Sequence, residues 1–211
     1  MGIASPVLYP DPFKRTKELM PAAKILAFAG SARKESFNKK LVKIAAIGAK
    51  KAGVEVTYID FRDLPLPLYD EDLESVEGLP DNALKLKALM KAHHGFIIAC
   101  PEYNSSITPL LKNAIDWASR RSADEPPLVC FKEKTAVLMS ASPGGLGGLR
   151  GLSHVRSILS SIGVLVLPNQ RAIGSAYEAF DENDNLKDES QQTAIMQLGA
   201  ELAIVTAKLN T

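Results

Sequence analysis

The sequence predicts an α/β domain: a five-stranded parallel sheet in the order 2-1-3-4-5, with helices on both faces. Three observations point there. Short apolar runs alternate with longer amphipathic segments five times over, and strict alternation of that kind demands parallel strands joined by crossover helices. Turn-forming residues such as Gly30, Gly53 and Pro101 close the segments. Polar and glycine content gathers after the first, third and fourth apolar runs. Sheets of this class bind ligands at the carboxyl ends of their strands, where the strand order reverses.

Taken in order, residues 25–29 are a short apolar run that reads as a buried parallel strand, stopped by Gly30. A helix is expected over residues 37–52. Leu41, Ile44, Ala45 and Gly48 share one face of it, and Gly53 is placed to end it. Residues 54–59, rich in β-branched side chains, read as the second strand. Pro65 and Pro67 force a loop over 63–70, and an acidic connector follows to Gly78. Asp81 suits the N-cap of a second helix ending near His94, with His93 and His94 as a solvated helix end.

Residues 96–100 are the third strand and 101–108 a polar loop. Thr108 and Pro109 then open a third helix running to about Arg120. Trp117 on that helix suits either the core or an interface between copies. Residues 135–140 form the fourth strand, 141–148 a glycine-rich loop, 151–162 a helix and 164–167 the fifth strand. An irregular acidic stretch leads to a closing helix over 190–209.

With 211 residues and 46% hydrophobic content, one domain over 24–211 is expected, with ample chain for a core. Residues 1–23 read as an extension, broken by Pro6, Pro10 and Pro12, that packs on the surface or on a neighbouring subunit. A net charge of +1 with Lys and Arg spread along the chain speaks against a nucleic-acid binder. Cys100 and Cys130 lie in apolar neighbourhoods and read as core thiols of a reducing, cytoplasmic setting. No Cys/His cluster has metal-ligand spacing, no run approaches membrane-spanning length, and no signal-peptide pattern opens the chain.

The first loop suits a phosphate. The start of a helix presents unpaired N–H groups and the positive end of the peptide dipoles. Ser31, Ser36, Asn38 and Arg33 add two hydroxyls, an amide and a guanidinium. The competing reading makes Ser36 a simple N-cap and Arg33 a solvated charge. The dinucleotide fingerprint is excluded, because only Gly30 of its glycines is present. The P-loop is excluded too: Glu35 stands where its second glycine belongs, and a carboxylate there would repel a polyphosphate. One terminal phosphate fits best. In the second loop, Tyr103 offers an aromatic body with a polar tip, and Asn104 both donates and accepts, as a planar heterocycle requires. Glu102 reads as a capping or surface carboxylate. The third loop, with Ser140, Ser142 and four glycines from Gly144 to Gly148, lets backbone approach a flat ligand or is simply a mobile tip.

The stretches Gly30-Ser-Ala-Arg-Lys-Glu-Ser-Phe-Asn38, Pro101-Glu-Tyr-Asn104, Leu111-Lys-Asn-Ala-Ile-Asp-Trp117 and the 142–148 loop resemble the NAD(P)H-dependent FMN reductases, a group that includes chromate and quinone reductases and related azoreductases. The resemblance covers residues 24–167 and implies a flavodoxin-like three-layer sandwich. It implies that Ser31, Arg33, Ser36 and Asn38 hold the FMN phosphate. Pro101, Glu102, Tyr103, Asn104 and Ser105 would border the ribityl chain and ring, and Ser140, Ser142 and Gly144 would approach the ring from the other side.

It further implies NADPH or NADH as co-substrate, a small-molecule acceptor (quinone, azo compound, flavin or oxidised metal ion), and a homodimer or homotetramer with residues 110–119 at or near the interface. No side chain is expected to act as nucleophile or obligatory base, since the cofactor carries the chemistry. Arg33, Arg120 and Arg150 are candidates for reading a coenzyme 2′-phosphate. The alternatives are a non-enzymatic FMN electron carrier, a flavin-bearing regulatory module and a phosphatase. A cysteine phosphatase fails on spacing, because the sixth residue after Cys100 is Ser106 and not Arg.

Overall fold

The computed structural model describes residues 23–122 and 124–210. The expected extension therefore lies outside the described residues, Ala23 excepted. Strand β1 (Lys24–Ala29) leads through α1 (Phe37–Lys51) to β2 (Glu55–Tyr58), then to α2 (Glu71–Glu77), α3 (Asp81–Ala92) and β3 (Gly95–Ala99). A two-stranded hairpin follows, β4 (Glu102–Tyr103) and β5 (Ser106–Ile107), and then α4 (Pro109–Ser119). Strand β6 (Thr135–Ala141), α5 (Leu149–Ser161), β7 (Leu165–Ile173), α6 (Ala176–Ala179) and α7 (Glu189–Leu209) complete the order.

The five-stranded sheet runs β2-β1-β3-β6-β7, all parallel. This is the predicted order, with the hairpin inserted after the third strand. The central strands read as continuous apolar runs because both faces are covered; β3 and β6 are buried at every position. Helices α1 and α7 pack one face, and the other core joins β1, β3 and β6 to α3, α4 and α5. Helices α1 and α7 touch through glycines. A Cβ on Gly48 would stand 1.9 Å from the Met196 carbonyl oxygen, and one on Gly199 1.9 Å from that of Ala45.

Several local expectations need correction. The acidic connector contains α2, capped by Asp70, whose carboxylate accepts from Asp72 N and Leu73 N. Asp81 is the first residue of α3; Pro80 holds the cap position and no side chain caps it. His93 is no solvated end: it is 5% exposed. Its Nδ1 donates to the Leu89 carbonyl at 2.6 Å, and its Nε2 lies 2.8 Å from the Thr57 hydroxyl. His94 Nδ1 accepts from Lys24 N at 3.0 Å, and burial, then Lys134, hold its pKa below the usual histidine value.

The last strand runs on past the predicted Leu167 to Ile173, across a register shift opposite Ala136–Leu138. Arg156 bridges the irregular part, donating to Gln170 Oε1 and to the carbonyls of Val166 and Leu167. Trp117 belongs to the core within one chain. It is fully buried, its Nε1–H donates to the Pro67 carbonyl at 2.8 Å, and it meets Tyr69 edge-on. Cys100 and Cys130 are buried free thiols, as expected, and burial pushes both thiol pKa values up.

Candidate active site

The loops after β1, β3 and β6 meet at the carboxyl edge of the sheet and border an open cleft. Ser31, Arg33, Ser36 and Asn38 line it from the first loop and the start of α1. Pro101, Glu102 and Tyr103 line it from the second loop, and Ser142 from the third. Phe37, Ala141 and Pro143 also line it, and none of the three was anticipated. Ala141 and Pro143 carry no chemical signal of their own. Phe37 had one: an aromatic ring between two phosphate-loop candidates.

The first loop is shaped for an anion. Ser36 is the N-cap of α1 with extended dihedrals (φ −85°, ψ 124°), yet its hydroxyl makes no capping bond. It is only 3% exposed, and it borders the cleft. The first N–H groups of α1 lie beside it, without intrahelical acceptors. No acidic residue occupies the first turn of the helix. Lys39 and Lys40 are answered by Asp60 and Asp184, each at 2.5 Å. Arg33 faces no carboxylate among the described residues; its guanidinium sits 5.0 Å above the Phe37 ring. That ring is stacked on Phe180 and meets Tyr177 edge-on.

Asn38 does a different job from the one its loop suggests. Its Nδ2 donates to the Ala141 carbonyl at 2.8 Å, and its Oδ1 accepts from Ala141 N at 3.0 Å. The side chain is a clamp between the first and third loops. Thr108 clamps the second loop to the first: its hydroxyl donates to the Gly30 carbonyl at 2.7 Å and caps α4 at Leu111 N. Gly30 is required there, since a Cβ would lie 2.8 Å from Leu111 Cβ.

Asn104, Ser105, Ser140 and Gly144 do not line the cleft. Asn104 and Ser105 form the turn of the β4–β5 hairpin, both at positive φ (50° and 64°), which is the signature of a type I′ turn. Glu102 is the capping carboxylate that the sequence suggests: its Oε2 accepts from Gly151 N at 2.9 Å, in the first turn of α5. Ser140 is fully buried and donates to the Cys100 carbonyl at 2.7 Å. That bond explains Gly148, which has φ +89° and whose Cβ would fall 2.0 Å from Ser140 Oγ. Gly147 and Gly148 therefore serve close packing. Among the described residues no group of three His, Cys, Asp or Glu side chains could hold a metal.

Known proteins decide the family. The model of the NADPH-dependent FMN reductases matches residues 23–178. The chain belongs to the NADPH-dependent FMN reductase family. An NAD(P)H-dependent FMN reductase of Pseudomonas aeruginosa is 35% identical over 175 residues, 82% of this chain and 90% of that protein. An NAD(P)H:quinone oxidoreductase of Solanum tuberosum is 34% identical over 194 residues, 90% of this chain and 95% of that protein. The flavoenzyme NAD(P)H:(acceptor) oxidoreductase FerB of Paracoccus denitrificans superposes with a TM-score of 0.72 at 26% identity, covering 88% of this chain and 98% of that one. An archaeal flavodoxin shares the fold alone, at 11% identity and a TM-score of 0.56.

The reductase is thus an oxidoreductase of a family that uses FMN with NAD(P)H. Its cleft suits that cofactor on two counts: a lining hydroxyl, that of Ser36, with no hydrogen-bond partner among the described residues, and a cation, Arg33, that faces no carboxylate among them. Of the three arginines considered for the coenzyme, Arg120 is removed. It lies at the far end of α4 from the cleft, its Nη1 donating to the Tyr69 hydroxyl and its carbonyl accepting from Lys87 Nζ.

Proposed function

We propose that this reductase binds FMN in the cleft with its phosphate at the N-terminus of α1 and uses it to pass electrons from NAD(P)H to small acceptors. The observation that carries the reading is Ser36. A cap serine that borders the cleft and makes no side-chain hydrogen bond among the described residues has a hydroxyl to offer a ligand. Ser31, Ser36 and the first N–H groups of α1 would hold the phosphate oxygens, and Arg33 would supply the charge. Phe37 holds the Arg33 guanidinium over the loop by cation–π contact, so little ordering is needed when the anion arrives.

When bound, FMN would supply the redox chemistry, taking hydride from NAD(P)H and returning the electrons to an acceptor. The protein's part is placement. Pro101, Glu102 and Tyr103 would form one wall against the ring and Ser142 the other, with Asn38 and Thr108 fixing the distance between walls. Stacking donor and flavin at contact distance makes the transfer effectively unimolecular. The open mouth admits nicotinamide and acceptor in turn, which gives ping-pong kinetics. Quinones are the first acceptor class to assay, since quinone reductases stand among the relatives. Azo compounds, free flavin and oxidised metal ions come next.

The exposed side chains of Tyr103, Leu146 and Leu149, near the cleft, suit an acceptor or a second copy of the chain. A homodimer or homotetramer remains part of the proposal, with light scattering as its test. The functional test is Arg33→Ala. FMN affinity should fall, and unchanged affinity would remove the phosphate assignment.

A further inference from the structure

The cleft leaves unused a one-sided charge on the outer surface of α1. At about 100° per residue, Lys40, Lys43, Ile47, Lys50 and Lys51 fall within one arc of the helix. Lys40 is tied to Asp184. Lys43, Lys50 and Lys51 are exposed and have no hydrogen-bond or ion-pair partner among the described residues. No Asp or Glu occurs between Phe37 and Lys51. The neighbouring carboxylate of Glu55 is already paired with Lys24. In a chain of net charge +1, three lysines without a counter-charge among the described residues stand together here. Lys50 and Lys51 also complement the helix dipole. Lys43 and the 44% exposed Ile47, farther from the helix end, gain nothing from it.

We propose that this face docks the protein onto an anionic phospholipid surface. The strip is about 17 Å long and about 10 Å wide, far below the roughly 800 Å² per partner of a stable protein interface. A lipid surface needs no such area; it needs clustered cations and something apolar at headgroup depth. Ile47, set among the lysines, supplies the apolar contact, which a nucleic acid would leave unused. The cations are all lysines, point charges rather than the planar forks that read phosphates by geometry. The same helix begins at the cleft, where Phe37 and Asn38 form part of the wall. The docking does not rest on the proposed function.

Co-sedimentation of the flavin-loaded protein with vesicles is the test. Vesicles of phosphatidylcholine with about one quarter phosphatidylserine should carry the protein down, and pure phosphatidylcholine should not. Binding should vanish near 1 M salt, where the screening length falls to about 3 Å. The triple variant Lys43→Glu/Lys50→Glu/Lys51→Glu should lose about a hundred-fold or more in partition, since each lysine at a charged surface is worth about five-fold. Should that variant fail to fold, Lys43→Gln/Lys50→Gln must show the same loss in smaller measure. Turnover with a water-soluble quinone should be unchanged in both. Wild-type protein left in the supernatant, variants that sediment like wild type, or a short DNA duplex bound as tightly as the vesicles would each overturn the proposal. The readout needs no turnover, so its failure and failure of the redox reading are separate results.

Discussion

Ser36 and Thr108 are both helix N-caps, and they part company in what their hydroxyls do. Thr108 caps α4 and ties two loops; Ser36 caps nothing. Thr108→Ala should therefore cost about 1 kcal/mol or more of folding stability. Ser36→Ala should leave stability almost unchanged and weaken FMN binding by about 0.5–1.5 kcal/mol. Arg33→Ala should weaken it further, by about 1.5–3 kcal/mol, because the lost bond is charge-assisted. Denaturant unfolding and flavin titration, run on all three variants, check the division. That the first loop would line the cleft was legible, because hydroxyls, an amide and a guanidinium gathered before a helix suit an anion. The true task of Asn38 was not legible, since its partner Ala141 is 103 positions away and offers only backbone. Ser140 was misleading for the same reason: its acceptor is a main-chain carbonyl that no sequence pattern marks.

Long periodic elements were readable, and short ones were not. The α1 face and the buried strands follow from spacing alone, whereas β4 and β5, two residues each, give periodicity nothing to work with. Asn104-Ser105 lacks the glycine that would flag a type I′ turn. Ser105→Gly should relieve the positive φ and stabilise the protein by about 0.5–1 kcal/mol in thermal unfolding. The α1–α7 contact makes the opposite prediction. Any side chain at Gly48 meets backbone, not a movable side chain. Gly48→Ala should cost about 3 kcal/mol or more in denaturant unfolding, and a smaller loss would mean that the helices part easily. Sequence periodicity counted Gly48 among the apolar face without showing why it must be glycine.

At the scale of the molecule, strand order put three distant loops at one edge, and that much followed from βα alternation. Charge distribution did not, because the arc of lysines on α1 exists only once the helix is wound. The opposite, amino edge of the sheet holds a second charge cluster. Glu125 pairs with Lys87 at 2.8 Å and with Lys91. Hydrogen bonds from Lys87, then Lys91, hold its pKa near 2, well under the usual 4.5. A depressed carboxylate stabilises the fold above its unfolded pKa and ceases to do so on protonation. Stability should therefore drop as pH falls from about 4.5 towards about 2. Glu125→Gln should flatten that part of the profile in chemical denaturation.

The central claim is a flavin gripped by its phosphate at α1 and reduced by a nicotinamide coenzyme. Its most direct test is the visible spectrum of the purified protein, supplied with FMN and freed of excess, before and after anaerobic addition of NADPH or NADH. The account predicts a yellow protein whose band bleaches on addition and returns when a quinone follows. A protein that stays colourless, or a band that neither coenzyme bleaches, would contradict it.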